Sequence, residues 1–346
     1  MTIITILYFI LILGVIVFVH EFGHFIFAKK AGIYVYEFSI GMGPRVFKFK
    51  RKNDETVYAI RALPIGGFVQ LAGEDPNLDK DIPKEKRLQS KTWIQRFLTM
   101  AAGVTMNFIL AIVILFIIAI CNGVSLDTRY VTEVDSSVYN NLVDGDKIIK
   151  VNGRKTNNYD KLALEIAASK NYEFDMVVVS KDNVKKNIHV KAKKIKDDNK
   201  NTTYDFGFKL TGKKKKGILV SIQYAFLKFF STIEQMIFTL IYLFTGRLSV
   251  KMLSGPVGLY SIVGQAASNG FFNILSLIAL FSINVGFINI LPFPAFDGGW
   301  IMFLIIEKIK GSPVKEKTQA VLNTIGFYLL MLLMVYITFN DILKLF

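Results

Sequence analysis

Four stretches of this chain are so apolar that they leave its backbone little choice. They run from about Ile3 to Ala28, Phe97 to Cys121, Phe271 to Leu291 and Val321 to Phe339. Each reaches or approaches the roughly 20 residues that a helix needs to cross a bilayer. No water satisfies peptide groups inside hydrocarbon, so such stretches must be helices bonded within themselves. A fifth apolar stretch, 217–246, carries Lys228, Glu234 and Gln235. Charges in its interior predict an amphipathic helix lying in the membrane plane. "MTIITILYFI" has no charged n-region and runs on without a small-residue cleavage site, which predicts a retained first helix.

Polar segments separate the spans. Residues 31–96 open with "IYVYEFSIGMG" and "TVYAIRALPIGGFVQLAGED", whose alternation, aromatics and bounding glycines predict two short strands followed by a charged loop. Residues 123–216 shift toward Lys, Asp and Asn. They offer strands at "MVVVS" and "NIHVKAK" and a helix at "YDKLALEIAAS", the makings of a small α+β domain. The expected fold is a polytopic α-helical membrane protein of about four transmembrane helices, with a membrane-associated β-hairpin segment and an inserted α+β domain. Its parts are helix 1 (1–30), the hairpin segment (31–96), helix 2 (97–122), the α+β domain (123–216), the in-plane helix (217–252), the helix 3 region (253–310) and the helix 4 region (311–346).

Charge orients these parts. Lys29, Lys30, Lys48, Lys50, Arg51 and Lys52 follow the first span, and Lys308, Lys310, Lys315 and Lys317 lie between the last two. The positive-inside rule puts both segments in the cytoplasm, and the N-terminus and the α+β domain outside. The net charge of +15 suits anionic lipid headgroups. No basic stripe with interleaved aromatics points to nucleic acid.

Against this apolar background stands "VFVHEFGHFIFAKK", 17–30. Ionisable groups are costly in hydrocarbon, so three within five residues call for a function. His20 and His24 lie four residues apart, about 40° around a helix, and project from one face. H-E-x-x-H on a helix can hold zinc, with Glu21 beside it as general base. Chance occurrence and a transporter's ion-binding site are the competing readings. Of three histidines two lie here; His189 reads as a surface residue of the polar domain. Zinc needs a third protein ligand, and the single Cys121 excludes a cysteine-rich site. "NVGFINILPFPAFDGGW", 284–300, supplies Asp297 after a helix broken by Pro292 and Pro294. An isolated Asp there would read as a helix end at headgroup level. Paired with the histidine motif, it reads as the ligand, with Gly298 and Gly299 relaxing the backbone behind it.

Together "HEFGH" and "NILPFPAFDGG" resemble the paired motifs of the site-2 protease family of intramembrane zinc metalloproteases, in its bacterial regulated-intramembrane-proteolysis branch. Asn289, Pro292, Asp297 and Gly298 keep the spacing of the second motif. "ALPIGGFVQLAGEDP", "QRFLTMAAGVTMNF" with Asn107, and "LSGPVGLYSI" extend the resemblance over nearly the whole chain. The resemblance implies a multi-pass enzyme of the bacterial cytoplasmic (inner) membrane that binds Zn2+ through His20, His24 and Asp297. Glu21 is then the catalytic base, and Asn289 positions substrate or stabilises the oxyanion. It implies a PDZ-like fold for 124–216, supported by "NLVDGDKIIKVNGRK", although "DSSVYNN" replaces the usual Pro-Ala step. Val104 stands where the family commonly has Pro. The implied partners are membrane lipids and transmembrane protein substrates trimmed beforehand, such as a pre-cleaved anti-sigma factor or a signal-peptide remnant. A transmembrane zinc transporter and a non-catalytic PDZ scaffold are the alternatives.

Overall fold

The computed structural model describes residues 3–73, 79–196, 202–249 and 255–343. In chain order the elements are α1 (Ile3–Lys30), β1 (Val35–Lys50), β2 (Val57–Leu71), α2 (Trp93–Asn122), β3 (Tyr130–Thr132), β4 (Lys147–Val151), β5 (Arg154–Lys155), α3 (Tyr159–Ala167), β6 (Glu173–Val179), β7 (Lys185–Lys191), β8 (Lys193–Lys196), β9 (Thr202–Asp205), β10 (Lys209–Thr211), α4 (Ile218–Phe244), α5 (Pro256–Ser268), α6 (Phe271–Ile290), α7 (Asp297–Lys310) and α8 (Glu316–Leu343). They form two compact units, Met1–Ile114 with Leu253–Phe346, and Leu115–Met252. Among the described residues, α1, α2, α4, α6 and α8 are long and apolar enough to cross a membrane. The chain is a polytopic membrane protein with a β-containing domain.

In the first unit, α1 leads into a hairpin that folds over on itself. Residues 37–40 of β1 pair with 57–60 on one side and with 67–70 on the other, while 45–50 pair with 57–61. The expected two-stranded hairpin is thus a four-stranded sheet in the order 45–50, 57–61, 35–40, 67–71. Residues 67–71 form an edge that pairs with no further strand among the described residues. Lys29, at the end of α1, binds Asp54 at 2.8 Å and Glu55 at 2.6 Å and ties the turn between the strands to that helix. Buried Glu37 pairs with Arg61 at 2.7 Å and also with Arg45, so its charge is not left alone inside the sheet.

The segment after the hairpin, expected as a surface loop, carries short 3-10 turns with Leu88 buried against α1 and β1; residues 74–78 lie outside the described part. A reciprocal capping box then starts α2: the Gln95 N–H donates to Thr92 Oγ1 and the Thr92 N–H to Gln95 Oε1. Proline ends α6, as expected. The chain restarts as a helix at Asp297, so the Lys308–Lys310 region expected as loop is the last turn of α7. Gly311, at φ 76°, closes that helix in the left-handed conformation that glycine adopts without cost.

In the second unit, β10, β3, β4, β6 and β7 form an antiparallel sheet in that order, with β5 beside β4. Its core is Val131, Ile148, Val151, Leu162, Phe174, Met176, Val178 and Val190. The "MVVVS" and "NIHVKAK" strands pair with Met176 opposite Ile188. Asn152 and Gly153, both at positive φ, make the tight turn between β4 and β5. Asn158 caps α3 by accepting from the Lys161 N–H at 2.7 Å. His189 is exposed on β7 and its Nδ1 lies 2.8 Å from Asp175, as expected of a surface residue. Of the polar "DDNKNTT" segment, residues 197–201 lie outside the described part.

Candidate metal centre

The broken helix and the H-E-x-x-H helix meet. His20 and His24, both 8% exposed, present their Nε2 atoms 3.3 Å apart. Asp297 Oδ2 lies 3.1 Å from the first and 3.3 Å from the second. Zinc bonds of about 2.0–2.1 Å at tetrahedral angles place neighbouring ligand atoms about 3.3–3.4 Å apart. The three atoms therefore form one face of a tetrahedron of the size zinc requires. Apart from these contacts, Oδ2 is buried with no hydrogen-bond donor assigned to it. A buried carboxylate oxygen directed at two imidazole nitrogens is the arrangement that a shared cation completes.

The other face of each imidazole ring is held by α2. His24 Nδ1–H donates to the Thr99 carbonyl at 2.8 Å, which leaves Nε2 as the free lone pair. The buried Asn107 side chain meets His20 Nδ1 at 3.2 Å through its nitrogen, while its Oδ1 is buried without a partner. Turning that amide over lets Oδ1 accept from Nδ1–H and frees His20 Nε2 in the same way. Ser282 of α6 donates to the Asn107 carbonyl at 2.8 Å and fixes this part of α2.

Gly103 lies between the two imidazole contacts on α2. A Cβ there would lie 2.3 Å from His24 Nε2 and 2.8 Å from His20 Nε2, so the missing side chain leaves open the space that both imidazole nitrogens face. Gly298 and Gly299 act differently from the sequence expectation. Neither has positive φ. Each instead lets α7 touch bare backbone: a Cβ on Gly298 would meet the Leu291 carbonyl at 2.1 Å, and one on Gly299 the Phe293 carbonyl at 2.6 Å. The left-handed residue of the break is Ala295, at φ 80°.

Glu21 is not among the converging ligand atoms. It borders the open strand edge, where a Cβ on Gly67 would lie 3.5 Å from Glu21 Cγ and 3.3 Å from Val17. Asn289 lies in the last turn of α6 and makes no hydrogen bond to the cluster among the described residues. Sequence reading paired His20, His24 and Asp297, and singled out Asn107 through the family resemblance. It missed the Thr99 carbonyl and Gly103. A backbone acceptor leaves no trace in residue identity. The small-residue run "AAG" opposite Gly23 of α1 was the available signal for the second.

A family model described as peptidase family M50 matches residues 8–333. The chain belongs to this family. It is 33% identical to the Regulator of sigma-W protease RasP of Bacillus subtilis (strain 168), across 99% of each chain. It is 34% identical to the zinc metalloprotease RasP of Bacillus licheniformis, again across 99% of each. A putative zinc metalloprotease of Fusobacterium nucleatum is 34% identical over 97% of this chain and 98% of its own. This M50 protein is a metalloprotease of the site-2 type, its metal is zinc, and it is a multi-pass membrane protein. The transporter and scaffold readings fall away with that assignment.

Proposed function

We propose that this M50 protease hydrolyses a peptide bond within or near the transmembrane segment of another membrane protein, after that protein has been trimmed. The carrying observation is one juxtaposition: the edge strand 67–71 runs beside Glu21, the sequence neighbour of His20 in the convergent group of His20, His24 and Asp297. A helical substrate hides its carbonyls in internal hydrogen bonds. Once unwound, it can pair with residues 67–71 as an added strand, which offers its backbone to the site.

His20, His24 and Asp297 would hold zinc, which when bound would supply Lewis acidity for the scissile carbonyl and for a water. Glu21 takes the proton of the attacking water and returns it to the leaving amine. Asn289 steadies the substrate or the oxyanion once the substrate strand lies in place. The α+β domain is PDZ-like and excludes substrates that still carry a bulky domain. The relative named a regulator of sigma-W protease supports an anti-sigma factor as one such substrate.

The N-terminus and the PDZ-like domain lie outside the cytoplasm, and α4 lies along the outer membrane surface. Within the second unit, Lys228 of α4 bonds Asp160 at 2.6 Å, Glu234 accepts from Asn158 at 3.0 Å, and Tyr242 donates to buried Glu165. Residues 228 to 242 span about 21 Å of helix, most of the thickness of a hydrocarbon core. A helix occupied by a polar domain over that length is suited to a surface and not to a crossing.

Purified Glu21→Gln protein tests the assignment. It should keep its zinc and bind substrate while cleaving nothing, so that bound substrates can be recovered and identified by mass spectrometry. Full cleavage by this variant would refute Glu21 as base.

A further inference from the structure

The three ligands come from α1 and α7, yet the helix that orients the two imidazoles, α2, contributes none of them. We propose that α2 also positions the third ligand. In this inference, Arg96 with Trp93 clamps Glu307 and Leu304 of α7, and the clamp holds Asp297 at the metal. Arg96 Nη1 and Nη2 donate to the two Glu307 oxygens at 2.9 and 2.5 Å, a bidentate pair with side chains only 15% and 20% exposed. One turn away, Trp93 Nε1–H donates to the Leu304 carbonyl at 2.7 Å, and Lys308 lies 4.3 Å over the Trp93 ring.

Upstream, Asp297 is held only through the close approach of Gly298 and Gly299 to the backbone of the break and the turn bonds within it, none of which reaches the far end of α7. The helix that precedes it, α6, ends at Ile290, and residues 291–296 turn without regular structure. The apolar side of α7, through Trp300, Ile301 and Leu304, packs on Met100, Trp93 and Phe97. Apolar packing is non-directional and leaves a short helix free to slide or roll by a fraction of an ångström. A planar guanidinium fork against a carboxylate fixes both register and rotation.

The lever is unfavourable if the fork fails. Pivoting at Leu304, Glu307 sits about 4.5 Å along the axis on one side and Asp297 about 10.5 Å on the other. A shift of about 0.2 Å at Glu307 therefore becomes roughly 0.5 Å at Asp297, beyond the tolerance of about 0.2 Å that metal–ligand distances allow. Arg96, Trp93 and Glu307 are positioning residues: they touch neither metal nor substrate.

The inference rests on Asp297 being a ligand, and the test separates the two claims. Zinc release from the purified full-length protein is followed with an excess of a chromogenic chelator, beside the thermal midpoint of the metal-free protein. Glu307→Ala should release zinc about 10–100 times faster, with the metal-free midpoint little changed. Arg96→Glu alone should do the same, and Arg96→Glu with Glu307→Arg together should recover most of the slow release. In an Asp297→Ala background, Glu307→Ala should add nothing. If Asp297→Ala leaves zinc release unchanged, the ligand assignment beneath the inference is wrong. If it accelerates release while Glu307→Ala does not, only the clamp is wrong. Should Glu307→Ala fail to fold, Arg96→Lys decides the matter, because it keeps the charge and loses the fork. Faster release supports the clamp, and wild-type release overturns it.

Discussion

Replacing Gly103 by Ala puts a single methyl against both imidazoles of the candidate metal centre. The new Cβ would lie 2.3 Å from His24 Nε2 and 2.8 Å from both Nε2 and Cε1 of His20, about an ångström inside van der Waals contact. Neither ring can step aside without leaving its anchor, the Thr99 carbonyl for one and Asn107 for the other. Displacement by even half of that overlap exceeds the ligand tolerance of about 0.2 Å. Zinc affinity should therefore fall at least ~100-fold, or about 2.8 kcal/mol at 1.4 kcal/mol per decade. The metal-free protein should not suffer in the same way, because alanine is favoured over glycine within a helix by about 1 kcal/mol and unliganded rings can swing outward. Competition against a chelator of known affinity measures the first quantity, and thermal unfolding of the metal-free protein the second. A Gly103→Ala protein that binds zinc within threefold of wild type would show that the metal does not lie over this part of α2.

Asn107→Ala should weaken zinc binding by about 10–100-fold, read by the same competition, since it removes only the group that orients His20. Asp127 is held down to about 2: burial opposes its ionisation, but hydrogen bonds from Arg129 and Lys147 outweigh that. A depressed carboxylate stabilises the fold above its ordinary value of 3.8 and loses that contribution as pH falls toward 2. Hydrogen exchange in β3 and β4 should accordingly be faster in Asp127→Asn than in wild type at pH 6, with the difference shrinking below pH 3.8 and vanishing only once pH falls below 2. Single cysteines at Lys215 and Ser249, in a Cys121→Ser background, should both react with an impermeant thiol reagent from outside. Labelling of the second only from the cytoplasm would mean that α4 crosses.

Residue identity alone determined the helical spans, because hydrocarbon permits a chain no other means of satisfying its peptide groups. It also singled out His20 and His24, whose i, i+4 spacing is local to one helix, with Glu21 beside them, and marked Asp297 as a costly charge behind two prolines. The folded-over sheet was not legible, because whether Phe38 pairs with Tyr58, with Val69 or with both is decided by pairing across the sheet. The α7 helix was read as a basic loop, since its lysines end a short helix held by distant Trp93 and Arg96. Only tertiary structure decided that Gly103 is the floor under the ligands, that a carbonyl 75 residues from His24 sets its free nitrogen, and that Gly298 serves close approach and not a turn. Those roles depend on what the chain brings within 3 Å, and the residues involved are far apart in sequence.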